Sequence, residues 1–166
     1  MKAIIIQGSS RSSGNTRTIS DELVNRTNCD LIDLKNHNIS YYDYESKNRE
    51  DDFIPLMKKV INNYDTTIFA SPVYWYSMSG ILKVFFDRMT DLVTIEKELD
   101  RKMKGKNTAV LSTSAGKTLD AYFYIPFKET ARYLGMNYIG DLHSEYGNID
   151  EANLNKFIGK LNANSL

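Results

Sequence analysis

Lys2-Ala3-Ile4-Ile5-Ile6-Gln7, followed without a break by Gly8-Ser9-Ser10-Arg11-Ser12-Ser13-Gly14-Asn15-Thr16, decides how this chain folds. The first six residues form a short apolar run that reads as a strand buried on both faces. The next nine are all small, polar or cationic. From Asn15 to Arg26 the apolar residues Ile19, Leu23 and Val24 recur at helical spacing. Buried strand, polar loop, amphipathic helix: that is the opening half of a parallel crossover unit.

The same alternation continues to the end of the chain. Asp30–Leu34, Thr66–Ala70, Asn107–Thr113 and Asn137–Leu142 read as four more strands. Asp51–Tyr64, Gly80–Thr90, Glu129–Leu134 (stopped by Gly135) and Asp150–Leu161 read as four more helices. Five strands alternating with five helices predict an α/β fold. It is a three-layer, doubly wound, five-stranded parallel sheet of flavodoxin-like order 2-1-3-4-5. Two stretches fit poorly. Asn36–Glu50 is long, polar and tyrosine-rich (Tyr41, Tyr42, Tyr44). Pro126 should either kink the pattern Leu119–Leu134 or mark a start near Phe127, with Lys117–Ile125 a separate turn.

At 166 residues the chain reads as a single domain, 1–166, large enough to bury roughly 70% of its unfolded surface without a metal or disulfide staple. Lys+Arg and Asp+Glu are both 21, so no bulk charge draws it to nucleic acid or an anionic membrane. One cysteine, Cys29, and two histidines, His37 and His143, exclude an internal disulfide, a cysteine-ligated cluster and a Cys/His zinc site; no metal is expected. Cys29 begins an apolar run and reads as core. The N-terminal apolar stretch is too short for a signal peptide, and no run reaches the ~18 residues of a membrane span, so a cytoplasmic protein is expected.

Ligands of doubly wound sheets bind at the carboxyl ends of the strands. The loop Gly8–Thr16 offers hydroxyl and amide donors, two glycines that let backbone amides converge, a planar cation in Arg11 and a helix N-terminus. Capping by Asn15 or Thr16 accounts for one or two of these residues, not nine. A Walker loop needs Gly-Lys-Ser/Thr, and Asn15 stands where that lysine belongs. The Rossmann pattern of glycines is absent, a phosphatase nucleophile is missing, and a receiver's aspartates are not there. A terminal monophosphate, held and not cleaved, remains. After the third strand, Ser71–Gly80 carries Tyr74-Trp75-Tyr76, a platform for a planar ring. After the fourth, Thr113-Ser114-Ala115-Gly116-Lys117 is small enough for backbone amides to approach a ligand.

With these residues in view, the chain resembles the flavodoxin-like NAD(P)H-dependent FMN reductases, which include the WrbA-like NAD(P)H quinone oxidoreductases. Gly8–Thr16 is similar to that family's G-S-x-R-x-x-G-N-T loop. Ser71–Trp75 with Met78-Ser79-Gly80, Leu82-Lys83 and Phe86-Asp87-Arg88 is similar to its second signature. The resemblance implies FMN, with its phosphate on Ser9, Arg11, Ser13, Asn15 and Thr16 around Gly14. It implies the ring system against Pro72, Val73, Tyr74 and Trp75 with Ser77 nearby, and Thr113, Ser114 and Gly116 at its pyrimidine edge. NADPH or NADH is the implied co-substrate, with hydride passing through the flavin to a small acceptor such as a quinone, a nitro or azo compound, or a flavin. No side chain is then a catalytic nucleophile or acid. The cysteine cluster of the family's iron–sulfur branch is missing from Asn36–Glu50. Two other readings stand beside this one: a flavodoxin-type electron carrier, against which zero net charge argues, and a non-catalytic flavin- or nucleotide-binding regulator. A homodimer or higher homo-oligomer is expected from the apolar surplus of Phe85, Phe86 and Met89 and from the family. Tyr41, Tyr42 and Tyr44 would then reach a neighbour's site.

Overall fold

The structure is a computed structural model that describes residues 2–164. Five strands, β1 (Ala3–Gln7), β2 (Asp30–Asp33), β3 (Thr66–Pro72), β4 (Asn107–Ser114) and β5 (Asn137–Glu145), form one sheet. Their order is β2-β1-β3-β4-β5 and every pairing is parallel. The architecture is the doubly wound, flavodoxin-like one expected from the alternation of runs.

Side chains of a strand alternate between faces, and the sheet buries both. Ile4 and Ile6 join the cluster beneath α2 (Phe53–Asn63), α3 (Gly80–Asp87), α4 (Met89–Thr94), α5 (Lys97–Met103) and α6 (Ile125–Tyr133). Ala3 and Ile5 join the opposite cluster, under α1 (Asn15–Thr27) and α7 (Glu151–Ala163). Cys29 lies in that second cluster, and burial pushes its thiol pKa up. That leaves it an inert core residue.

Four element readings need correction. The helix expected over Gly80–Thr90 is interrupted at Arg88, whose fully buried side chain enters an ion-pair network, and divides there into α3 and α4. Helix α5 went unread because only Leu99 and Met103 of Lys97–Met103 are apolar, too few to show a period. Helix α6 starts at Ile125, after a 3-10 turn over Ala121–Tyr124. Pro126 sits in its first turn, where a missing N–H costs nothing. Strand β5 also runs to Glu145, beyond Leu142. On this edge strand buried Gly140, Leu142 and Ser144 alternate with half-exposed polar residues, so its far end carries no apolar run.

The long segment after β2 is pinned by carboxylates. Asp51 accepts from the N–H of Ser40 (2.9 Å) and of Phe53 (3.0 Å), and Asp52 from Asn38 N–H (2.7 Å). Arg88 pairs with Asp51, donates to Ser40 O (3.1 Å) and to Asp91 (2.7 Å), and stacks on the Phe53 ring. Tyr41 and Tyr44 project into solvent and Tyr42 is half-buried. Phe85 and Met89 are core, and Phe86 is wedged between the Phe69 and Phe127 rings (4.8 and 5.2 Å). The apolar surplus of α3 and the start of α4 therefore packs largely within the chain.

Candidate functional site

The carboxyl ends of β1, β3 and β4 open into one cleft of about 160 Å³. Residues 8–14 cross its floor from β1 into α1. Gly14 occupies the N-cap of α1 and no side chain caps that end, so the first-turn N–H groups are left for an anion. This removes the capping explanation of Asn15 and Thr16. The Thr16 hydroxyl instead bonds the Thr113 hydroxyl, 2.8 Å away and buried, fastening the start of α1 to the end of β4.

Arg11 folds back over Gly14 and has no carboxylate partner among the described residues; no acidic residue lines the cleft. An unpaired guanidinium beside free helix amides is a monoanion-to-dianion site by electrostatics alone. Ser79 locks the second loop to the first: its hydroxyl donates to Gly8 O (2.6 Å) and accepts from Leu82 N–H (3.2 Å), capping α3. The aromatic loop is a two-residue hairpin. Tyr74 and Ser77 exchange both backbone hydrogen bonds at 3.0 Å. Trp75 (φ 49°) and Tyr76 (φ 64°) between them both lie in the left-handed region. Two bulky residues there are strained, and both are exposed, Trp75 at 94%.

The cleft brings together Ser9, Arg11, Gly14, Asn15, Thr16, Pro72, Val73, Tyr74, Thr113 and Ser114 of the residues expected from sequence. Ser13, Trp75, Ser77 and Gly116 stand outside its wall, exposed at the rim or just behind it. Ala115 and Tyr146 line it and were not foreseen. Tyr146 comes in because β5 is longer than it looked: its N–H bonds Ser114 O at 2.8 Å. The next residue, Gly147 (φ 79°), presses on Asn15, where a Cβ would lie 2.9 Å from the Asn15 carbonyl oxygen. The signal available was Tyr146-Gly147, an aromatic–glycine pair placed after a strand.

Behind the β4 loop runs a half-buried polar chain. Tyr124 OH and Ser112 Oγ are 3.0 Å apart, and Ser112 Oγ is 3.0 Å from His143 Nδ1. His143 Nε2 lies 2.9 Å from Gly116 O and 3.1 Å from Ser114 Oγ. Since a carbonyl only accepts, Nε2 carries a proton, while Ser112 Oγ stands between Nδ1 and the Leu142 carbonyl oxygen, 3.4 Å away. Burial pushes the Tyr124 phenol up to about 12, so it stays a neutral donor.

Residues 1–146 match the model of the NADPH-dependent FMN reductases. The chain belongs to that family. FMN is the cofactor of this reductase and NAD(P)H its co-substrate. The reductase is 25% identical over 150 residues to YwqN of Bacillus subtilis (strain 168), named as an NAD(P)H-dependent FMN-containing oxidoreductase; the match covers 84% of this chain and 82% of YwqN. It is 27% identical over 97 residues to the NADPH azoreductase of Bacillus sp. (strain OY1-2), covering 58% of this chain and 54% of that one. The solved Trp repressor binding protein from Bacillus subtilis shares its fold, with a TM-score of 0.69 at 22% identity over 99% of this chain and 96% of the other. The donor set of this reductase suits FMN. An acid-free cleft with an unpaired arginine and an uncapped helix fits the phosphate, and the aromatic hairpin beside it fits a flat ring. No helix among the described residues is long and apolar enough to cross a membrane.

Proposed function

We propose that this chain holds FMN by its phosphate in the Gly8–Thr16 cradle, with the ring against Pro72–Trp75, and reduces small planar acceptors at the open face: quinones, nitro or azo compounds, or free flavins. The observation that carries this is the single cleft shared by Arg11, the uncapped start of α1 and Tyr74. FMN, when bound, supplies a ring that takes hydride from NAD(P)H and returns the electrons to the acceptor. The protein's share is binding and orientation. Arg11, Asn15 and the first-turn amides of α1 hold the phosphate dianion. Pro72–Tyr74 and the exposed Trp75 flank the ring. The Ala115 amide, in a loop fixed from behind by His143 through Ser114 and Gly116, is the donor offered toward the ring's polar edge. Trp75 and Tyr76 are left exposed by the described residues, which leaves room at the ring's outer side for nicotinamide and then acceptor in turn. The azoreductase relative supports azo compounds among the acceptors.

A second copy belongs to this reading, since Tyr41, Tyr44 and Trp75 present large aromatic surface that one chain leaves in solvent. Light scattering that gives a strict monomer removes that part. The central test is the visible spectrum of the FMN-loaded protein under NADPH without oxygen. Bleaching that returns on adding a quinone or azo dye, with parallel-line kinetics, is the expected result. Bands that persist leave an electron carrier or a regulator.

A further inference from the structure

A second cleft, of about 370 Å³, lies along the edge strand β5, behind the loop that follows β4. Lys117 from that loop, Lys156 and Lys160 from α7, and His143 from β5 converge on it. None of the three ammonium groups has an ion-pair or hydrogen-bond partner among the described residues, whereas Arg17, Arg26, Lys83, Arg88 and Arg132 each have a carboxylate. The one acid in the cleft, Asp141, accepts from Tyr138 OH at 3.0 Å. A chain with equal numbers of acids and bases thus keeps a local surplus of positive charge here.

The arrangement is built rather than scattered. Lys156 and Lys160 share a row of α7 beside its core stripe of Leu154, Phe157 and Leu161. Gly140 makes room for the Lys160 stem; a Cβ there would lie 3.0 Å from Lys160 Cδ and 3.1 Å from its Nζ. Lysines also guard edge strands against pairing, but none of these three is on the strand: Lys117 stands in the loop after β4, and Lys156 and Lys160, exposed like it, are on α7. The cleft touches the flavin cleft through one contact, His143 Nε2 to Ser114 Oγ at 3.1 Å, each residue lining its own side.

We propose that this cleft takes a phosphomonoester dianion, and that its source is the 2′-phosphate of NADPH. The inference rests on the reductase reading above. NADPH carries the one phosphomonoester that separates it from NADH, and the lysines stand one wall away from where its nicotinamide must react. Three unpaired cations around one small cleft suit a dianion, and they offer nothing to the 2′-hydroxyl of NADH that water does not.

The test uses the FMN-loaded full chain and two readouts. The first is calorimetric binding of adenosine 2′,5′-bisphosphate against adenosine 5′-monophosphate. The second is the ratio of kcat/KM for NADPH to that for NADH. We expect the bisphosphate to bind at least about tenfold tighter, and K156Q/K160Q to cut both preferences by about tenfold or more, the scale of lost charge-assisted hydrogen bonds. Lys59→Gln on α2, remote from both clefts, controls for loss of net charge. If the double variant leaves both preferences where they were, the proposal is overturned. The same follows if inorganic phosphate displaces the bisphosphate at equal concentration, for then the cleft holds any anion. Lysine-dependent bisphosphate binding in a protein that oxidises neither nucleotide would sink the reductase reading and leave the cleft standing.

Discussion

Thr16 Oγ1 and Thr113 Oγ1 meet at 2.8 Å in the interior, 97 residues apart in sequence. Each sits at the mouth of a different crossover, so this one bond sets the distance between the phosphate cradle and the loop after β4. Replacing either by valine keeps the shape but leaves one buried hydroxyl alone. That should cost about 1–3 kcal/mol of stability, while the double valine variant should recover part of the loss. Urea unfolding of the four proteins measures the coupling. Strict additivity would mean that the two hydroxyls do not depend on each other.

Arg11 has no acidic partner among the described residues, so its charge is free for a ligand. Arg11→Ala should weaken FMN by about 1.5–3 kcal/mol, the range for hydrogen bonds to charged groups. Riboflavin, which has no phosphate, should bind the two proteins alike. Fluorescence titration with both flavins separates a phosphate contact from a general loosening of the loop, which would weaken both equally.

The fold and most of the cradle were legible because both rest on strong local contrasts. Ile4-Ile5-Ile6 against Ser9–Ser13 cannot be mistaken for one element. Helix α5 was not legible, since Leu99 and Met103 are its only apolar contacts. Neither was Tyr146, because the edge strand that delivers it alternates instead of running apolar. Ser13, Trp75, Ser77 and Gly116 were expected from their place in a motif, and the structure sets them at the rim of the cleft or behind it rather than in its wall. Whether a side chain faces a cleft depends on turn geometry such as the Trp75–Tyr76 hairpin, which sequence spacing does not encode.

Burial alone would raise the Asp51 carboxyl. The Arg88 guanidinium and the N–H groups of Ser40 and Phe53 outweigh it and hold the carboxyl below the usual carboxylate range. A folded-state pKa depressed in this way contributes stability that is present above the unfolded value, about 3.9. It is lost as pH falls through the folded value. Stability should therefore decline in acid, and the first segment to open should be 38–52, whose backbone Asp51 and Arg88 tie down. Asp51→Asn should cost about 3–5 kcal/mol at neutral pH by leaving a buried guanidinium short of a partner, and it should flatten the acid limb of the stability curve. Hydrogen exchange at pH 7 and at a pH well below about 3.9 reads the segment directly; uniform loss of protection across the sheet would assign the acid sensitivity elsewhere.

The hairpin at Tyr74–Ser77 holds Trp75 and Tyr76 with positive φ, a conformation that asparagine and glycine adopt at far lower cost. Both side chains are mostly in solvent, so neither repays the strain by packing in the free protein. Replacing the pair with Asn-Gly should therefore stabilise the chain by about 1 kcal/mol or more. If the aromatics are kept for the ring of FMN, the same substitution should weaken FMN binding and shift its visible bands. A thermal melt and a flavin titration on W75N/Y76G decide it. A gain in Tm with unchanged flavin affinity would show that the strain serves something other than the cofactor. A loss of Tm would show that the two aromatics already pack against a surface, which in a chain that leaves them this exposed must belong to a second copy.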